Sequence, residues 1–376
     1  MSDEKLIIYQ VFTRLFGNNN NHCINNGSIT ENGCGKMADF TAKALGEIKK
    51  LGATHIWYTG IIEHATQTDY RRYNIRPDHP AIVKGKAGSP YAIKDYYDVD
   101  PDLAKDVPER MREFENLVQR THRSGLKVII DFVPNHVARQ YHSDMQPDGT
   151  SQLGANDDTD YAFSPYNNFY YIPQSELHGQ FDMKGAAAEP YKEFPAKATG
   201  NNRFDAYPNI NDWYETVKLN YGVDYQNGGT CHFNPIPDTW NKMLDILMFW
   251  AEKHIDGFRC DMAEMVPVEF WEWAIPQVKA KYPAEIGFFR YCSERKQWEV
   301  VLNDQLPLAL RRGMTAEQIT SFSPCFVQIH QSYIINIDYL MLIRDNRCVL
   351  YPPFDKITEL LVSKKFKKEL QERFCL

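Results

Sequence analysis

The chain has no apolar run of transmembrane length, which excludes a spanning helix and argues against a membrane partner. Its first residues, Met1-Ser2-Asp3-Glu4-Lys5, lead into a short apolar run without the long hydrophobic region or small-residue cleavage site of a secretory leader. Cytoplasmic residence is therefore the expectation, unless a targeting segment has been lost. Paired metal-ligand spacing is also missing. The eight cysteines (Cys23, Cys34, Cys231, Cys260, Cys292, Cys325, Cys348 and Cys375) are scattered, which argues against a metal framework and, at 376 residues, against a disulfide scaffold. Positive charge is in deficit as well: 42 Lys and Arg face 49 Asp and Glu, a net charge of −7, whereas nucleic-acid phosphates demand a basic face. The composition carries no signal for oligomeric state.

What is present is apolar and aromatic. A hydrophobic content of 43% and an aromatic content of 13% supply the core of one large domain rather than a string of small modules. Four apolar runs read as strands: Leu6 to Phe12, Thr54 to His64, Lys127 to Phe132, and the run ending in Gly257-Phe258-Arg259-Cys260-Asp261. Helical spacing follows them. Phe40, Leu45 and Ile48 give one apolar stripe over 36–51, with Gly52 as its stop, and Met111, Phe114, Leu117, Val118 and Thr121 give another over 107–124. Residues 238–254 repeat the pattern with Asp238 as N-cap, and a further helix runs from Val268 to Lys281. This alternation predicts an α/β fold, a (β/α)8 TIM barrel, in which polar groups at the C-terminal ends of parallel strands converge on one pocket.

Two strand ends carry such groups. Arg259 and Asp261 stand two positions apart and so share a face, where the guanidinium would hold the carboxylate ionised and aimed as a nucleophile; a structural salt bridge is the alternative. The second end reads Asp131-Phe132-Val133-Pro134-Asn135-His136. Between His136 and Gly222 the pattern gives way to Asn, Asp, Gly, Pro and Tyr, far longer than an ordinary strand-to-helix connection, so an irregular insertion domain is expected after the third strand. The aromatics Tyr161, Phe163, Phe169, Tyr170 and Tyr171 favour order there over disorder. The implied partition is 1–136 and 223–286 for the barrel, 137–222 for the insertion and 287–376 for an atypical tail.

In their order and spacing these segments resemble the alpha-amylase family of glycoside hydrolases over residues 5–285. The resemblance includes Gly88-Ser89-Pro90-Tyr91-Ala92-Ile93-Lys94-Asp95 and Asn211-Asp212-Trp213-Tyr214-Glu215. It implies a retaining hydrolase of α-1,4-glucans, starch or maltodextrin, with a maltooligosaccharide as bound partner. Asp261 would be the nucleophile, oriented by Arg259. Asn135 and His136 would bind ring hydroxyls, Tyr91 would stack on the reacting sugar or else anchor its loop, and Asp131 would be a supporting carboxylate. A general acid/base is needed about 5 Å from the nucleophile; Glu285 is the candidate and Glu294 the fallback. The chemistry requires no cofactor. By resemblance the insertion can help hold a structural calcium, but the sequence names no metal ligands.

The tail departs from the family. Its last catalytic motif, a His-Asp pair, is absent, since His330 is followed by Gln331. Too few residues remain after Asp261 for four more β/α units at about 30 residues each, so the barrel is expected to be incomplete. A truncation or shifted reading frame is the expectation, and a divergent lid or dimerisation segment the alternative. Two functional readings follow: a working glycosidase, or a catalytically inactive fragment that at most binds oligosaccharide. Amino-acid-transporter heavy chains, which share the barrel, are disfavoured because they need a membrane anchor.

Overall fold

In chain order, β1 (Ile8–Phe12) is followed by the short helix α1 (Ile29–Asn32), then α2 (Ala42–Lys50), β2 (His55–Thr59), a hairpin of β3 (Ile62–His64) and β4 (Ile93–Val99), α3 (Arg110–Arg123) and β5 (Lys127–Phe132). Brief strands come next: β6 (His136–Ala138), β7 (Tyr171–Ile172), β8 (Ala196–Lys197), β9 (Thr216–Lys218), β10 (Val223–Asp224) and β11 (Thr230–Cys231). The helix α4 (Asp238–Glu252), β12 (Gly257–Cys260) and α5 (Val268–Lys281) complete this part. These positions come from a computed structural model that describes residues 6–281, 286–302, 307–323, 325–351 and 354–374. The described residues divide into two compact units, Leu6–Val278 and those from Lys279 onward.

In the larger unit β1, β2, β5 and β12 pair in that order, all parallel. Among the described residues this sheet is open, with β1 and β12 at its edges. One face is sealed: Val11, Ile56, Tyr58, Val128, Ile130 and Phe132 are buried with Leu45 and Ile48 of α2, Phe114, Leu117 and Val118 of α3, and Met243, Ile246 and Trp250 of α4. The opposite face is half open. Ile8 and Phe12 are 46% and 37% exposed, although strands of a parallel sheet are ordinarily covered on both sides.

The helices form where their stripes predict, with shifted starts. The helix expected over 36–51 begins only at Ala42, where the Thr41 side chain accepts the Ala44 N–H. Before it lies a 3-10 turn, Met37–Asp39, and Phe40, which leaves helical geometry to stack on Phe16 at 4.2 Å. Asp238 is not the cap of α4; Pro237 holds that position, and Asp238 lies in the first turn, 2.9 Å from Lys242. The run Thr54 to His64, read as one strand, is two, because Gly60 takes φ +83° between β2 and β3.

The smaller unit is built otherwise. Strands β13 (Ile286–Cys292), β14 (Gln297–Leu302), β15 (Leu308–Ala309), β16 (Phe326–His330) and β17 (Tyr333–Asn336) form an antiparallel sheet in the order β15-β14-β13-β17-β16. The helix α6 (Ala316–Ser321) precedes β16, and a hairpin of β18 (Leu340–Arg344) and β19 (Arg347–Leu350) precedes α7 (Lys364–Phe374). Phe288, Val327, Ile335, Leu340, Leu350 and Leu360 belong to one apolar cluster; Phe289, Trp298, Ile319 and Ile334 belong to another. The described part of the tail, where the sequence showed no strand-helix alternation, is thus built on an antiparallel sheet.

Candidate active site

Strands β5 and β12 lie side by side with Arg259 opposite Asp131, and residues in register across parallel strands project to the same face. Arg259 Nη1 donates to Asp261 Oδ1 at 2.5 Å and reaches Asp131 Oδ1 at 3.4 Å. One guanidinium therefore ties two carboxylates that are far apart in sequence. It lies between two rings, 5.0 Å from the centroid of Trp57 and 5.5 Å from that of Tyr91. Asp131 Oδ2 accepts the Gly60 N–H at 3.3 Å. The positive φ of Gly60, and Pro90 only 3.2 Å from where a Cβ would stand, suit this close approach to glycine alone.

Burial sets the electrostatics. It pushes the Asp131 carboxyl up to about 6, with Arg259 pulling the other way. For Arg259 burial acts to lower the pKa, but the hydrogen bond and charge of Asp261 outweigh it and the net shift is upward. The Tyr91 phenol is raised by burial first and by the negative charge of Asp131 second. The two carboxylates thus stand in different settings: Asp131 is raised by burial, and Asp261 takes the short hydrogen bond from the guanidinium.

Asn135 and His136 lie beneath this rim. Asn135 is fully buried and its amide is engaged on both ends: Nδ2 donates to Gly200 O at 2.9 Å and stands 3.1 Å from His136 Nδ1, while Oδ1 accepts from Lys218 Nζ. Asn135 is thus held between His136, Gly200 and Lys218. The His136 ring packs 5.2 Å from Trp213 and hydrogen-bonds the Tyr91 backbone, and burial together with Lys218 lowers its pKa to about 3, so it is a neutral imidazole. Lys218 is itself buried, and desolvation brings its pKa down to about 7. Glu285 lies outside the described residues. Glu294 is exposed on the turn between β13 and β14, in the smaller unit and on no parallel strand.

Two contributors were not singled out in the sequence. Trp57 sits two residues before the end of β2, on the parity that faces Ile129 and hence Asp131 and Arg259. Lys218 was signalled as a lone lysine between the buried Val217 and Leu219.

The alpha-amylase catalytic domain model matches residues 10–286. The chain belongs to the alpha-amylase family. The catalytic domain of that family is a (β/α)8 barrel, of which four parallel strands are present here, and no closed barrel exists among the described residues. The chain is 26% identical over 269 residues to the alpha-glucosidase of Apis mellifera, covering 69% of this chain and 35% of that protein. It is 26% identical over 267 residues to the alpha-amylase of Streptomyces lividans, covering 64% and 25%. It is also 25% identical over 259 residues to the amino acid transporter heavy chain SLC3A1 of Homo sapiens, covering 69% and 29%. The match thus spans about a third or less of these relatives. Among solved structures, an alpha-amylase from Lactobacillus plantarum shares 25% identity over 75% of this chain and 43% of that one, with a TM-score of 0.40.

A structural calcium would need about six to eight oxygen ligands. Among the described residues Glu63, Asp95 and Asp98 bring ligand atoms within 4.8 Å of one another. Protein donors already answer most of them. Lys94 Nζ lies 3.5 Å from Glu63 and 3.3 Å from Asp78, Arg110 Nε donates to both oxygens of Asp98 at 2.9 and 2.8 Å, and Ser143 Oγ donates to Asp95 at 2.7 Å. Burial also raises the pKa of all three acids, which disfavours the ionised form a hard cation requires. Near the insertion, Asn135 Oδ1 and Met265 O converge on the Lys218 ammonium, the latter at 3.3 Å. These oxygens hold a protein cation and do not fit calcium.

Proposed function

We propose that the rim of β5 and β12 binds an α-1,4-glucan segment and that Asp261 is the nucleophile of a retaining glycosidase. The observation that carries this reading is the Arg259 bridge from Asp261 to Asp131 beside the rings of Trp57 and Tyr91. In the first step Asp261 attacks the anomeric carbon, the glycosidic C–O bond breaks and Glu285 donates a proton to the leaving oxygen; in the second, water attacks the glycosyl ester while Glu285 accepts its proton. Arg259 fixes the attacking oxygen, Tyr91 and Trp57 offer faces for the sugar, and neutral His136 holds the Tyr91 loop. Residues 137–222 form the insertion that walls one side of the cleft.

A second reading, binding with little turnover, is favoured by the half-open inner face of the four-stranded sheet. Arg259 is 35% exposed, and water weakens the fixed dipoles on which an oxocarbenium-like transition state depends. The transporter name of one relative makes the same point, since family membership does not by itself fix activity. Calorimetric titration with maltoheptaose, paired with an assay of released reducing ends, separates the two. Binding with turnover abolished by Asp261→Asn supports the first reading, binding without turnover the second, and absence of binding overturns both.

A further inference from the structure

A cavity of about 450 Å³ lies in the larger unit between Arg76, the segment Arg139–Tyr141 and the β7–β8 pair with its flanks, and it shares no lining residue with the Asp131–Arg259–Asp261 rim. Its volume falls in the range of small-molecule sites. Its walls are aromatic, with Phe169, Tyr171, Tyr191 and Phe194, the last 69% exposed. Its charge is lopsided for a chain of net charge −7: Arg76, Arg139, Lys192 and Lys197 line it against one carboxylate, Glu193.

That carboxylate is already engaged. Glu193 Oε1 accepts from Arg139 Nη1 at 2.7 Å and from the Lys197 N–H at 2.8 Å, and Oε2 accepts from the Tyr191 hydroxyl at 2.9 Å. Arg139 places its other donors on the carbonyls of Tyr214 and Thr216, at 2.7 and 3.2 Å. This buried pair is the frame of the cavity. Lys197 Nζ also pairs with Glu193 Oε2 at 3.9 Å and stands 5.7 Å from the Phe169 ring, so no carboxylate of the lining is left for the exposed Arg76 and Lys192. Cations at the mouth and flat apolar rings within select a ligand with an anion at one end and an apolar ring face at the other.

We propose that this cavity is a second binding site, for a small sugar bearing a phosphate or carboxylate. The ring packs on Phe194 and Tyr171, and the anion is held by Arg76 and Lys192. The site is independent of the glycosidase reading. Calorimetric titration of the whole chain with glucose 6-phosphate, glucuronate, glucose and inorganic phosphate tests it. The expected result is binding of one anionic sugar at least about tenfold tighter than glucose and than inorganic phosphate, weakening as ionic strength rises. Preference for glucose 6-phosphate assigns a phosphate, preference for glucuronate a carboxylate. Arg76→Glu with Lys192→Glu should weaken binding by at least about tenfold, and Phe194→Ala should weaken both anionic sugars more than inorganic phosphate. All three residues are exposed, and an unchanged circular dichroism spectrum and melting temperature confirm that the variants fold. Equal affinity for glucose, equal affinity for inorganic phosphate, no binding, or undiminished binding by the charge-reversed variant overturns the proposal. So does loss of binding in Asp261→Asn, which would put the ligand at the rim.

Discussion

Residues Leu6–Val278 and the unit from Lys279 onward bury their strands in opposite ways. In the first, the main sheet is parallel and charge goes inside: Glu63, Lys94, Asp95, Asp98, Asp131, Arg139, Glu193 and Lys218 are all buried. In the second the sheet is antiparallel, and among the described residues Glu299 is its one buried charge, answered by Arg290 at 3.0 Å and Arg295 at 3.3 Å. Buried ions cost desolvation and contribute little net stability, so a region dense in them is shaped by something other than stability alone. The candidate chemistry lies in that region.

The largest effect expected to sharpen this contrast is on turnover. Asp261→Asn removes the nucleophile while keeping its shape, and whatever release of reducing ends the chain shows on maltoheptaose should fall by about 10³-fold or more with the Kd little changed. An unchanged rate would move the chemistry away from β12. Next come the two cores. Trp250→Ala, in the larger unit, should cost about 4 kcal/mol, and Ile335→Ala, in the smaller, about 3 kcal/mol. Each should lower its own transition in a calorimetric melt; if both transitions fall together for either variant, the division into two units is not energetic.

A third test uses pH. Asp131 has a folded pKa of about 6 against 3.8 unfolded, so between these values the folded state holds more protons. Stability should therefore fall as pH rises through that window, by about 3 kcal/mol in all, and level off above it. Urea denaturation of the wild type and of Asp131→Asn between about pH 4.5 and 7 checks this; the variant should lack that component, and parallel curves would refute it. The smallest effect belongs to the surface. Arg112 and Glu109, 77% and 48% exposed, pair at 3.2 Å, and Arg112→Ala should change stability by less than about 0.5 kcal/mol.

The contrast also governs what the sequence disclosed. Val128-Ile129-Ile130 is an apolar run followed by Asp131, and Gly257-Phe258 leads into Arg259 and Asp261, so strand and direction were legible together. The smaller unit offers no such runs. In β13 three successive residues, Gly287, Phe288 and Phe289, are buried, so no clean alternation marks a face. One signal there was available and passed over: Asp345-Asn346, both at positive φ, form the two-residue turn of the β18–β19 hairpin, a pairing of residue types that favours this geometry. The full burial of Asn135 depends on Gly200 and Lys218, 65 and 83 positions away, which no local pattern could supply.

Lys218 makes folding a proton-transfer event. Its pKa is about 7 in the folded chain and 10.5 when burial is undone, so near about pH 8.5 this amine sheds roughly one proton as the chain folds and recovers it on unfolding. Its contribution to stability then climbs with pH across that interval. The heat of unfolding must also carry the ionisation heat of whatever buffer supplies the proton, making it larger in Tris than in phosphate. Lys218→Met should remove that proton's share of the difference, so one methylene chain beneath the cleft can be read by calorimetry without any substrate.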